Sequence, residues 1–236
     1  NDFLVNFCDS ALSRYNLLMR LTKYYHSCFL LEEGSDKILF DPGIFCFMEG
    51  RTDPEIFKNL QAIFITHNHP DHLDISALKK VLINNPGVSI FTNTDTQETL
   101  NKENIACTVF ETGEKKIGSF YIRAIEATHE QLLIPVPQNT AYLVNGTFLA
   151  TGDSLDYSLR DIKGVKVLAL PILAPWGKVS EIAEFAQSVQ PGHIIPCHDG
   201  FVLDSFLERQ YGAWKNYYEG GYIDFRPLAP GEAFEF

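Results

Sequence analysis

The chain has 236 residues, of which 45% are hydrophobic and 21% charged, proportions that suit a globular protein with a sizeable core. Its formal charge of −11 argues against a surface that tracks nucleic-acid phosphates, because such surfaces need clustered Lys and Arg. No stretch approaches the roughly 18 uncharged apolar residues of a membrane span, and the opening NDFLVNFCDSALSRYN lacks the basic and then apolar regions of a secretion signal.

In chain order, short apolar runs separated by turn residues predict strands at CFLLE (28–32), KILFD (37–41) and AIFIT (62–66). Asp74 then caps a predicted helix whose Ile75, Leu78, Val81 and Leu82 share one face. Strands follow at VSIFT (88–92), ACTVF (106–110) and FYIRAIEA (120–127). The run AYLVNGTFLAT (141–151) reads as a hairpin, since Asn145–Gly146 suits a type I′ turn, which needs φ > 0 at both central residues. After the strand VKVLALP (165–171), Ser180 is expected to cap a helix that presents Ile182, Phe185, Ala186 and Val189 to a sheet. Residues 202–218 predict a third helix, and the tail from Ile223 returns to extended structure. No linker composition interrupts the chain, so residues 1–236 are expected to form a single domain. The five cysteines, Cys8, Cys28, Cys46, Cys107 and Cys197, are scattered and form no CxxC pair. That usage fits reduced thiols and points to the cytoplasm.

Five of the predicted strands lead straight into a residue able to bind a metal: Asp41, His67, His129, Asp153 and His198. In α/β architectures, sites form where strand ends deliver side chains to one rim. The segment THNHPDHLD packs three imidazoles and a carboxylate into six positions, between a buried strand and a helix. His67 and His69 lie two apart, so in extended chain they face the same way and can grip one ion. Pro70 then turns the backbone and lets Asp71 and His72 address a second. Such a polar cluster is costly to bury without cations. Imidazole and carboxylate donors suit zinc first, with manganese or iron admitted by the same set.

With its HxHxDH motif at 67–72, followed by His129, the Asp153 of TGDS and the His198 of PCHDG, the sequence resembles the metallo-β-lactamase superfamily. The DPG at 41–43 belongs to the same resemblance, which runs from about Tyr25 to Gly200. The resemblance implies an α/β fold, a four-layer αββα sandwich with two divalent metal ions at one edge. It makes His67, His69 and His129 the ligands of one ion and Asp71, His72 and His198 those of the other, with Asp153 bridging. HSCFLLE and LPILAPWGK look nearer to the lactonase-like and phosphodiesterase-like branches than to antibiotic-degrading enzymes.

The implied activity is metal-dependent hydrolysis of an ester, lactone, thioester, amide or phosphodiester in a small molecule. A bound divalent ion lowers the pKa of water from roughly 16 to about 7, and two ions can share the resulting hydroxide as nucleophile. Asp71 is the candidate catalytic residue, orienting that hydroxide while serving as ligand. Asp41 is expected to accept the second N–H of a ligating imidazole. His26 and Trp176 are candidate pocket residues, although a structural role suits Trp176 equally and His26 somewhat better. Asp199 reads first as a turn former and second as a partner of the site. His193 should start a core strand, and Cys197 should point away from the ligands into the core. Three rivals stand beside this reading. An RNase Z-type nuclease shares these ligands but suits a more basic surface. A diiron oxidoreductase of the same fold resembles HxExD, whereas position 69 here is His. A degenerate binding module needs no intact ligand set. Nucleic acid is thus not the expected partner, and the oligomeric state is not legible.

Overall fold

In the computed structural model, which describes residues 18–236, the apolar runs assemble into two seven-stranded sheets. The first contains β1 (Arg20–Lys23), β2 (Phe29–Glu33), β3 (Asp36–Phe40), β4 (Ala62–Phe64), β5 (Ser89–Thr92) and β6 (Thr108–Val109) in that order. The second contains β7 (Gly113–Ile117), β8 (Phe120–Glu126), β9 (Thr140–Val144), β10 (Phe148–Ala150), β11 (Val167–Pro171), β12 (His193–Cys197) and β13 (Asp224–Phe225), again in order. The last strand, β14 (Ala233–Glu235), returns to pair antiparallel with β1.

Strand alternation explains the layering, because successive side chains point to opposite faces of a sheet. Ile38 and Phe40 of β3, Ala62 and Phe64 of β4, and Ile195 and Cys197 of β12 all point into one core between the sheets. Their neighbours Leu39 and Ile63 point outward into a second cluster, and Ile194 into a third. The inter-sheet core is built on wholly buried rings, with Phe64 stacked on Phe40 at 5.2 Å and edge-on to Tyr142 at 5.0 Å. Strands buried on both faces need apolar residues at every position, which is why they read as continuous runs.

Helices cover both outer faces. On the first sheet, α1 (Ile44–Phe47) is a single turn, while α2 (Ile75–Asn84) and α3 (Thr94–Lys102) bury Leu78, Val81 and Leu100. On the second, α4 (Val179–Val189) and α5 (Asp204–Tyr218) bury Ile182, Phe185, Val189 and Trp214. The fold is therefore an αββα sandwich, as the sequence led us to expect.

Local chemistry fixes several element ends. Asp74 caps α2 by accepting the amides of Ser76 and Ala77. Asn145 (φ 50°) and Gly146 (φ 66°) turn β9 into β10. Ser180 does not cap α4. The helix starts one residue before it, on the extended Lys178, whose carbonyl already accepts the amide of Ile182, and no side chain caps this end. Three elements escape a reading of apolar periodicity. TDTQETLNK, which forms α3, buries only Thr96 and Leu100, and the edge strand β7 is almost wholly exposed. Strand β1 is four residues long and of mixed polarity. Among the described residues no helix is long and apolar enough to cross a membrane. Cys28, Cys46, Cys107 and Cys197 are free thiols, with Cys197 buried in the inter-sheet core; Cys8 lies outside the described residues.

Candidate metal centre

Because β9 runs antiparallel to both β8 and β10, those two point the same way, and β11 and β12 run parallel to β10. Strands β8, β10 and β12 therefore end at one rim, where the chain continues into His129, Asp153 and His198. Strands β3 and β4 of the facing sheet end in Asp41 and in the 65–72 loop. That loop is stitched to the 41–44 segment by the bonds Ile44 N–H to Pro70 O (2.8 Å) and Asp74 N–H to Pro42 O (2.9 Å). The two backbones approach so closely that a Cβ on Gly43 would lie 1.8 Å from the carbonyl oxygen of Asp71, so only glycine fits there.

The rim gathers two groups of donor atoms, each within 4.8 Å of one another: His67, His69, His129 and Asp153 in one, and His26, Asp71, His72 and His198 in the other. Asp153 touches both. One of its oxygens lies 3.3 Å from His72 Nε2, and the other lies 3.2 Å from His198 Nε2 and 3.7 Å from His129 Nε2. All seven residues expected at the centre from the sequence are thus brought together, and His26 joins them.

Four imidazoles are held from behind through Nδ1, leaving Nε2 to face the centre. His67 Nδ1 bonds Thr66 Oγ1 (3.0 Å), His72 Nδ1 bonds Asp41 Oδ2 (2.8 Å), His129 Nδ1 bonds the Glu130 carbonyl (2.6 Å), and His198 Nδ1 bonds the Leu173 carbonyl (2.5 Å). Such outer contacts fix the tautomer and orientation of a ligating ring. Asp41 also accepts the amide and hydroxyl of Thr66, both at 2.8 Å. Thr66 is thereby the hub between Asp41, His67 and His72, a role its place just before the motif does not announce. Asn139 is a second hub, donating to the carbonyls of Ala127 and Thr151 and accepting the amide of Asp153.

The remaining candidates separate cleanly. Trp176 donates its indole N–H to Asp153 Oδ2 at 3.0 Å. His26 is buried, donates from Nε2 to Asp71 Oδ2 (3.1 Å), and accepts the Gly200 amide at Nδ1 (3.1 Å). Asp199 turns away from the donor groups, and its buried carboxylate is bound by Lys23 Nζ and by the Tyr211 hydroxyl, both at 2.5 Å. It is half of a buried ion pair rather than a simple turn former. His193 starts β12 and pairs with Asp224 at 3.0 Å. Backbone strain concentrates here too, since His26, Asp41 and His198 all have φ between 41° and 61°. Each left-handed residue costs about 1–2 kcal/mol, and such strain clusters at functional sites.

The electrostatics show which charge the cluster favours. Burial alone would lower the basicity of His72 and His198, yet Asp153 outweighs it and holds His198 up at about 10, while Asp153 and Asp41 hold His72 well above its ordinary value. Burial would likewise raise Asp153, but His198 and His72 keep it well below the usual carboxylate range. His67 is pushed well down by burial, and His26 down to about 4. Asp153 thus favours positive charge at His72 and His198, the sign of charge that a cation would bring. Of the seven buried side-chain atoms without a hydrogen-bond partner among the described residues, four are here: Nε2 of His67, His72 and His198, and Oδ1 of Asp153. Inward-facing orphan donors and buried carboxylates are the chemistry a divalent cation satisfies. The residues present fit such ions.

The comparisons with known proteins agree. A model of the β-lactamase superfamily domain matches residues 20–198. The protein Rv0786c of Mycobacterium tuberculosis is 34% identical over 202 residues, covering 82% of this chain and 90% of its own length. A UPF0173 metal-dependent hydrolase of Pyrococcus furiosus is 26% identical over 197 residues, covering 77% and 84%. The metallo-β-lactamase fold protein YhfI of Bacillus subtilis superposes with a TM-score of 0.66 at 19% identity, over 93% of this chain and all of its own, a likeness of fold alone. The chain belongs to the metallo-β-lactamase superfamily. It is an enzyme, a hydrolase.

Proposed function

We propose that this hydrolase works with two divalent cations, zinc before manganese or iron, on an ester, lactone, thioester, amide or phosphodiester of a small molecule. His67, His69 and His129 would hold one ion, Asp71, His72 and His198 the other, and Asp153 would serve both. The observation that carries the reading is the position of Asp153, whose two oxygens lie 3.2–3.7 Å from imidazoles of both donor groups. When bound, the ions supply a water acidic enough to attack near neutral pH and an electrophilic pole for the oxygen of the scissile group.

The chain's own residues do the rest. Asp71 is the partly exposed carboxylate of the centre, at 22% side-chain exposure, while Asp153 is buried. It therefore faces the opening, where it can orient the attacking water by accepting its hydrogen bond. His26 and His198 both bear on Asp71 Oδ2, at 3.1 and 3.3 Å, which fixes the carboxylate for that task. The Trp176 N–H restrains Asp153 in the same way. Asp41 and Thr66 hold His72 and His67, so the inner residues meet an ion with little reorganisation.

The test is a panel of lactones, carboxylic esters, thioesters and phosphodiesters offered to the zinc-loaded protein, its chelated form and the Asp153→Ala variant. The reading expects turnover by the loaded protein that chelation and Asp153→Ala both abolish. Equal turnover in all three preparations would show that the metal centre is not the catalyst.

A further inference from the structure

Two cavities flank the centre, and their chemistries differ. One, of about 560 Å³, opens beside Asp71 and His198 and is otherwise lined by apolar side chains, among them Ile44, Phe45, Pro70, Leu173, Phe201 and Phe206. The other, of about 320 Å³, opens at His129 and carries Asp95, Glu111 and Glu126. Neither lining contains a Lys or Arg among the described residues.

From this pairing we infer that the substrate is a neutral carbonyl compound with an apolar arm, alkyl or aryl, which lies in the cavity between α1 and the start of α5 while its carbonyl meets Asp71 and His198. The inference rests on the hydrolytic reading above and names its substrate class. Three observations support it. The cavity is continuous with the reactive groups, since Asp71 and His198 belong to both. Its floor is aromatic and packed against the centre: Phe45 lies 5.9 Å from Phe201, and both rings stand against His26, at 4.9 and 5.7 Å. Its rim leaves Ile44, Phe201 and Phe206 each 41–45% exposed, beside the more exposed Leu203, so apolar surface is waiting to be covered. The size falls within the roughly 300–1,000 Å³ usual for small-ligand sites. Charge disfavours the main competitor. A phosphodiester brings an anion for which, beyond His198 and the ions themselves, neither cavity offers a Lys or Arg among the described residues, and the carboxylates beside His129 would repel it.

Binding and turnover test this separately. A series of linear methyl ketones from four to twelve carbons, which mimic an ester but cannot be hydrolysed, is titrated against the full chain with and without zinc. Affinity is expected to rise about four-fold per methylene until the cavity is full. Phe206→Asp and Ile44→Asp, at half-exposed positions that leave the core intact, should each flatten that slope. Matching alkanoate esters should show the same chain-length trend in kcat/KM. An affinity independent of chain length, or tighter binding of a phosphodiester anion than of a ketone of similar size, would overturn the inference. A rising ketone slope with no metal-dependent ester turnover would instead sink the hydrolytic reading while leaving the apolar cavity standing.

Discussion

The Nε2–H of His26 is committed to Asp71, 3.1 Å away, because its Nδ1 already accepts the amide of Gly200. An imidazole using both nitrogens in this way positions a neighbour and has no lone pair left for a cation, although its atoms fall inside the second donor group. His26→Ala should therefore keep the wild-type metal content while kcat falls about 10–100-fold, the usual effect of losing a residue that orients a ligand. Elemental analysis alongside steady-state kinetics checks both halves. A variant that loses one metal equivalent would make His26 a ligand.

Asp41 holds His72 and Thr66 on a backbone of φ 41°, a conformation that asparagine also tolerates. Asp41→Asn should thus fold normally yet bind zinc about 10–100-fold more weakly, because the imidazole loses a charged acceptor. Competition with a chromophoric chelator measures this. Unchanged affinity would confine Asp41 to holding the loop.

Gly43 allows its backbone to touch that of Asp71. Gly43→Ala forces the 67–72 loop outward, so it should lose zinc binding and about 1–3 kcal/mol of stability, as overpacking typically does. Urea unfolding with and without zinc separates the two effects. Wild-type affinity in this variant would mean that the loop has room to move.

The centre should give the metal-free protein an unusual pH profile. His198 is held up at about 10 and His72 is raised as well, against roughly 6.5 for an unfolded imidazole. Their stabilisation is complete below about pH 6.5 and is lost as pH rises towards 10. His26 is held down at about 4, so it penalises the folded state increasingly as pH falls from about 6.5 to 4. Asp71 and Asp153, both lowered, stabilise above about pH 4 and lose that contribution below it. Metal-free Tm should therefore peak near pH 6.5 and fall towards pH 9.5, whereas the Tm gain on adding zinc should grow over the same range as protons leave the imidazoles. A metal-free Tm that rises from about pH 7 to 9.5 would contradict this.

Lys23 and Asp199 pair out of water behind the site, with Tyr211 on the same carboxylate oxygen. Lys23→Met leaves that carboxylate buried without its cation, which should cost about 3–5 kcal/mol. Metal content should not change, because Asp199 belongs to neither donor group. Denaturant unfolding and metal analysis together check this.

The sequence was most legible where a residue's chemistry and its position in an element agree. The core strands announced themselves through apolar runs, the Asn145–Gly146 turn through its need for positive φ, and the inner residues through imidazoles and carboxylates placed just after strands. Contacts that depend on tertiary approach were not legible. Nothing local in YYHSCF says that His26 will reach Asp71 across 45 positions, or in PCHDG that Asp199 will meet Lys23 across 176. Thr66 and Asn139 act through ordinary polar groups whose value lies only in what surrounds them. Helix α3 lacks an apolar stripe because it buries so little, and Ser180 looked like a cap because residue type alone does not locate the first helical turn.

The central claim is that two cations share Asp153. Crystals of the zinc-loaded protein, measured on either side of the zinc absorption edge, test it most directly. The account predicts two anomalous peaks about 3.5–4 Å apart, one among His67, His69 and His129 and one among Asp71, His72 and His198, with Asp153 contacting both. A fully loaded crystal with a single peak, or with peaks that leave Asp153 untouched, would contradict it.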